Sequence, residues 1–436
     1  MTLPDNHPQR LTLNDEVHAR PPESISSPRS ITYLALFGGS QHGEDLRAVT
    51  ELATNANARV PSPDSSHYSE DFGAYRIKWE RHTEFSRIKI IAPLPEGQPF
   101  EKTAIDHLPT EWVANLPGTI LVASHVLLLP EPKKGFDHDA LSREAFGGNF
   151  LIGSEIGGGA ATTFTDFRVH GDGYSRVVVY DRNLKPRQAG RMIQRIVEID
   201  TYRMLALLAF PVARGLAPKL SVQERELAQI ANAMTSDSSV EEPKLLDRLT
   251  RLQAQIESGH ADTDYRFGAA RAYYDLVGRR IEELRESRLE GLQTFKEFTE
   301  RRLMPAIQTC NAIATRQEEL SRRVARATQL LSTRVAVARE RQNQDVLAAM
   351  ARRAKLQLRL QQTVEGLSVA AVTYYVVGLV GYASKALAEA GLPVSPPIMM
   401  GLAIPVVAGF IWWGVRRARA AISRDEGDEN GDRLVD

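Results

Sequence analysis

The chain has 436 residues, with 54 lysines and arginines balanced by 54 aspartates and glutamates, and Cys310 as its one cysteine. Zero net charge removes the global electrostatic argument for a nucleic-acid partner, and one cysteine excludes an intrachain disulfide framework. At ~100 to 200 residues per domain, the length admits two domains and a membrane element.

Residues 1–28 are polar and proline-rich, which predicts an extended arm with one helical turn around 13–19. No apolar run follows a basic start, so a cleaved secretory signal is not expected. Runs rich in β-branched and aromatic residues at 31–37 (ITYLALF), 75–79, 87–92 (RIKIIA) and 119–129 (TILVASHVLLL) read as strands. Helices are expected at 43–56 and 101–116. Two further strands, 164–169 and 176–180, flank the turn signal His170-Gly171-Asp172-Gly173. Helices recurring between strands predict a mixed α/β head over 29–185.

From Pro186 the spacing becomes helical, predicting a bundle over 186–304. The segment 188–208 is its first helix, with Pro211 and Pro218 expected to break the helical run beyond it. Ser221 and Glu224 have the spacing of a capping box opening a helix over 221–234. A polar linker is expected at 235–243, then helices at 244–258 and 262–303 divided by Gly259. Pro305 suits the first turn of the longest element. Nothing from Ala306 to Gln362 is glycine or proline, so a stalk helix over 305–362 can run for roughly 80 Å. Its apolar stripe, including Leu320, Val324, Leu331 and Val335, repeats nearer 3.6 than 3.5 residues, the pattern of a nearly straight packed helix.

Two apolar runs without a charged residue follow, 367–383 and 398–415, each long enough for a hydrocarbon core, which takes about 17 to 25 residues. They predict a transmembrane hairpin over 363–415. Arg352, Arg353, Lys355 and Arg359 precede the first run, and Arg416, Arg417 and Arg419 follow the second. The loop between the runs carries only Lys385 and Glu389, so the positive-inside rule places both chain ends in the cytoplasm. The bracketing cations are candidates to face anionic lipid headgroups. A basic and then acidic tail over 416–436 reads as disordered. The expected fold is α+β: an N-terminal mixed α/β head, a long helical stalk and a C-terminal two-helix transmembrane hairpin.

Three constellations carry possible chemistry. Glu80, His82 and Glu84 alternate along an expected strand and would share one face, where they are candidates for a divalent cation or proton transfer; an ion-paired strand face explains the same residues. Gly153, Gly157, Gly158 and Gly159 invite a phosphate loop, but no Lys-Ser or Lys-Thr follows, which favours a turn or close backbone packing. In the first apolar run, Thr373, Tyr374, Tyr375, Gly378 and Gly381 supply hydroxyls and small residues, the composition of a pore lining or of an oligomer contact.

Four strings, NDEVHARP at 14–21, WERHTEF at 79–85, HGDGYSR at 170–176 and GRMIQRIVEIDTYRMLALL at 190–208, resemble a bacterial family of membrane-anchored proteins of unknown function. That resemblance implies a multi-pass protein of the bacterial inner membrane. The layout of head, bundle, stalk, two spans and closing basic residues is similar to the CorA-type divalent-cation transporters, which are homopentamers with the first span lining the pore. Their Gly-Met-Asn signature is replaced here by Gly381-Tyr382-Ala383. The expectation is a homo-oligomeric ion conduit in a lipid bilayer, gated by its cytoplasmic head; the alternative is a membrane-tethered binding scaffold that transports nothing. A metal-dependent enzyme is a third and remote reading.

Overall fold

Strand β1 (Arg29–Phe37) is buried along nearly its whole length, because both sets of its alternating residues meet a packed layer. A computed structural model describes residues 6–11, 13–14, 22–38, 43–235, 241–390, 393 and 395–431. The expected turn around 13–19 falls largely outside them. The chain divides into two compact units, Met1–Leu331 and Ser332–Asp436.

In the first unit, β1 is followed by α1 (Glu44–Asn55), β2 (His67–Asp71), β3 (Arg76–Arg81), β4 (Phe85–Pro93), α2 (Thr110–Ala114), β5 (Thr119–Pro130), α3 (His138–Phe146), β6 (Ile152–Ile156), β7 (Ala161–Thr165) and β8 (Ser175–Asp181). A two-residue strand, β9 (Ser287–Arg288), completes a nine-stranded sheet of order β2-β3-β4-β1-β5-β8-β7-β6-β9. Neighbouring strands are antiparallel except β5 and β8. On one face, Ile31, Tyr33 and Ala35 join Val126 and Val179 in a core shared with Met192, Ile193 and Ile196 of α4 (Pro186–Leu207). On the other face, Leu34, Leu36, Ile88 and Ile90 pack with Val49 and Leu52 of α1. A further cluster includes Phe146 of α3, Phe164 and Val178.

Helices α5 (Ala209–Ala233), α6 (Glu242–Leu284), α7 (Phe295–Arg302) and α8 (Met304–Glu389) follow. Leu220 and Leu227 of α5, Leu249, Leu252 and Ile256 of α6, and Cys310, Leu320 and Val324 of α8 form a second core. This packing overrides three local signals. Pro211 falls in the first turn of α5, and Pro218 lies inside that helix; burial of Leu216 and Leu220 on either side offsets a penalty of about 3 kcal/mol. Ser221 does not cap: its hydroxyl donates to the Ala217 carbonyl, and Glu224 accepts from Arg316 at 2.7 Å. Gly259 sits within α6, which ends at Arg285 in the left-handed region, φ 49°. Capping boxes fall instead at Thr103 and Asp106 and at Thr294 and Glu297, the latter opening α7. Strands β2 and β6 and helix α3 were not legible in the sequence pattern.

The second unit comprises the rest of α8 and α9 (Pro396–Gly431). Helix α8 continues through Glu389, past the expected end of the first run at 383. Val377, Gly381 and Ser384 are buried, and a β-carbon on Gly381 would lie 2.7 Å from the Met400 sulfur. Leu379, Tyr382, Leu402, Val406 and Phe410 are exposed. Helix α9 extends to Gly431, where a disordered tail was expected, and 432–436 lie outside the described residues.

Among the described residues, three helical stretches are long and apolar enough to cross a membrane: Pro186–Ala233, Phe295–Glu389 and Pro396–Arg417. Their apolar windows are 28%, 11% and 0% buried within the fold. The first also carries the buried acids Glu198 and Asp200, which side with the sheet core rather than with lipid.

Candidate functional site

Where β3 and β4 pair, four charged side chains point to one face. Lys78 stands opposite Lys89, and Glu80 opposite Arg87. All are at most 4% exposed, because the apolar alternates Ile77, Trp79, Ile88 and Ile90 bury the other face and α4 covers this one. The register extends the row across the sheet: Lys89 is opposite Tyr33, Tyr33 opposite Ser124, and Ser124 beside Ser175.

Helix α4 supplies the partners at helical spacing. Glu198 accepts from Arg87 at 2.7 Å and from Arg280 of α6 at 2.5 Å. Thr201 lies 2.8 Å from the Tyr33 hydroxyl. Asp200 accepts from Ser175 at 3.3 Å, and the two serine hydroxyls are 2.6 Å apart. Arg87 also donates to Glu80. The outcome is a polar lane, buried between sheet and helix, that joins β3, β4, α4 and α6 through shared charges.

Burial would raise the Glu80 carboxyl, but the Arg87 guanidinium and then Lys78 outweigh it and pull the group down to about 2. Burial also opposes ionisation of Glu198, and Arg87 with Arg280 outweighs it, leaving that carboxyl below its ordinary value. Arg87 loses solvation in the same way, yet Glu80 and its other neighbours hold its pKa above the usual guanidinium value. Lys89 differs. Burial, reinforced by repulsion from Arg87, pushes its ammonium down to about 8.

At the β3 end the lane meets a cavity of about 580 Å³, whose wall includes Lys78, Glu23, Arg59, His67 and Ser69. At the other end, no histidine among the described residues supports Ser124 or Ser175 as a nucleophile. His125, the next residue in β5, serves the opposite face, where it bonds Thr32 at 2.9 Å and stacks on Tyr174.

The expected Glu80, His82, Glu84 face does not form, because β3 ends at Arg81. Glu80 lies in the lane, His82 stacks on Phe85 at 4.5 Å, and Glu84 accepts from Arg266 at 2.9 and 3.1 Å and from Tyr273 at 2.8 Å. Among the described residues no group of three or more His, Cys, Asp or Glu side chains is placed to hold a metal ion. The glycine run divides into the two structural roles: a β-carbon on Gly153 would meet Phe164 at 2.8 Å and Leu292 at 2.9 Å, while Gly157, Gly158 and Gly159 all turn through positive φ.

The pore candidates occupy different sides of α8. Gly381 faces Met400, Thr373 donates to the Val369 carbonyl at 2.7 Å, Gly378 is half-buried, and Tyr374 and Tyr375 project outward, 78% and 71% exposed. Arg352, Arg353, Lys355, Arg359, Arg416 and Arg417 are exposed. Arg416 and Arg417 lie over the rings of Trp412 and Trp413, at 5.1 and 5.3 Å. The side chain of Arg419 is outside those described.

Sequence reasoning missed Lys78, Lys89 and Glu198. The available signal was charge alternating with Ile and Trp in adjacent strands, but the same pattern describes a solvated sheet face.

No curated protein and no solved structure matches the chain. A family described as "Protein of unknown function (DUF3422)" matches residues 5–422, nearly the whole length, and the chain belongs to that family.

Proposed function

We propose that the protein is a membrane-anchored ion conduit with a CorA-like layout, assembled from several copies of the chain and gated by its head. The observation that carries the reading is the continuity of α8. Over 86 residues without a break, it contributes Cys310, Leu320 and Val324 to the helical core formed with α5 and α6 and then runs into an apolar window suited to a bilayer. A helix whose sequence continues from a ligand-responsive domain into a span offers a route by which one can influence the other.

Helices α8 and α9 form the two spans in this reading, in a bacterial inner membrane with both ends cytoplasmic. Cations before and after the pair support that orientation. The Pro186–Ala233 stretch stays with the sheet because its buried acids have partners there. The apolar surface left open by a lone hairpin supports closure by further copies around an axis. Tyr374 and Tyr375 are then the hydroxyl-bearing residues available to a pathway.

A second reading, a tethered binding protein that conducts nothing, is favoured by one specific contact. Gly381, which the pore reading would place along the pathway, is occupied by Met400 of the same hairpin.

The test is the mass of the detergent-solubilised complex, followed by ion flux in liposomes on the same sample. A closed ring whose flux is blocked by Tyr374→Trp supports the conduit. A monomer or dimer without flux for common cations or anions overturns it and leaves the tether.

A further inference from the structure

The cationic end of the lane sets two buried ammonium groups side by side. Lys78 and Lys89 are direct cross-strand neighbours, each 3% exposed, and like charges in that relation repel. Lys78 has Glu80 at 3.3 Å and Glu23 at 3.9 Å. Lys89 makes no hydrogen bond or ion pair among the described residues, since Glu80 and Glu198 are engaged by Arg87. A buried ammonium without an acceptor is destabilising. Folds tolerate such a group chiefly where function uses it.

The neighbouring cavity has the complementary chemistry. Lys78 and Arg59 supply its cationic wall, His67 an imidazole, Ser62, Ser65 and Ser69 hydroxyls, and Glu23 is its carboxylate. Glu23 is already held by Ser69 at 3.1 Å and Arg76 at 3.4 Å.

We propose that this cavity binds a small oxyanion, a phosphate or a carboxylate, with Lys78 as the contacting ammonium and Lys89, one strand behind, as a second positive charge that draws it in. Binding would draw Lys78 away from Glu80. Glu80 shares Arg87 with Glu198, and Glu198 holds Arg280, so the change reaches α4 and α6. This deepens the gating part of the conduit reading and rests on it for its regulatory meaning; binding itself is measured without flux, so either can fail alone.

The experiment is isothermal titration of the full-length protein in detergent near neutral pH, with inorganic phosphate and separately with succinate, at matched ionic strength. Saturable binding of either probe is expected, and the tighter probe names the anion class. Affinity should fall at least ~10-fold in Lys78→Met and in Lys89→Met. Lys89→Met should also melt at a higher temperature than the parent without ligand, an outcome that loss of a merely structural contact would not produce. No saturable binding of either probe, or affinity unchanged from the parent in both lysine variants, overturns the proposal. If those variants do not fold, Arg59→Gln on the exposed rim decides: a several-fold loss supports the site, and unchanged affinity overturns it.

Discussion

The backbone carbonyl of Glu23 occupies the space that a β-carbon on Gly190 would take, so the segment leading into β1 lies directly on α4. Beside this contact the Ile25 amide donates to the Pro186 carbonyl at 3.0 Å. The close approach sets the Glu23 carboxylate among Ser69, Arg76 and Lys78. Gly190→Ala should therefore destabilise the protein by about 1 to 3 kcal/mol through overpacking. Denaturant unfolding of the variant checks this, and an unchanged midpoint would refute the contact.

Arg87 is the hub of the lane, bridging Glu80 and Glu198. Arg87→Met leaves two buried carboxylates facing a methionine and should lower stability by about 3 to 5 kcal/mol. Adding Glu80→Gln should recover part of that loss, because it removes a charge the first change orphaned. A double-mutant cycle measures the coupling, and simple additivity would show that the residues act independently.

Stability should respond to pH at both ends of the lane. The Glu80 carboxyl, held at about 2 against an ordinary 4.5, contributes stability that is full above the ordinary value and lost as pH falls toward 2. Lys89, pushed from 10.5 to about 8, acts oppositely: its penalty is full below pH 8 and is relieved as pH rises toward 10.5, by roughly 3 kcal/mol at most. Melting curves across the alkaline range should rise more steeply for the parent than for Lys89→Met, and parallel curves would contradict the assignment.

In the apolar hairpin, Gly381 meets only the far end of Met400. Gly381→Ala should be nearly neutral, because the methionine can change rotamer. Gly381→Ile should separate the helices at that point and reduce recovery of folded protein. Size-exclusion profiles in the same detergent distinguish the two, and equal recovery would show that the contact does not hold the hairpin.

Much of the architecture is legible before any coordinates. The strand at 31–37, the helix from Pro186, the helix opened at Pro305 and the two apolar runs all carry their period or length on their face, because each buries a continuous stripe or face. The short strands β2 and β6 carry no such signal: HYSED is polar, and IGSEI owes its burial to Phe164 and Leu292 crossing Gly153. Prolines at 211 and 218 and glycine at 259 misdirected the helix ends, since local propensity of at most about 3 kcal/mol yields to a packed bundle.

The sequence by itself determined the α+β class, the extreme length of α8 and the apolar character of the final helices, because these depend on local period, composition and the absence of breakers. Only the tertiary structure decided that Lys78, Glu80, Arg87 and Lys89 form a buried lane while Glu80, His82 and Glu84 do not form a common face. Alternation in a strand states that two faces differ; the cover over the charged face depends on Glu198, more than a hundred positions away from Arg87. That partner is set by how α4 lies across the sheet, a long-range packing fact that no local pattern contains.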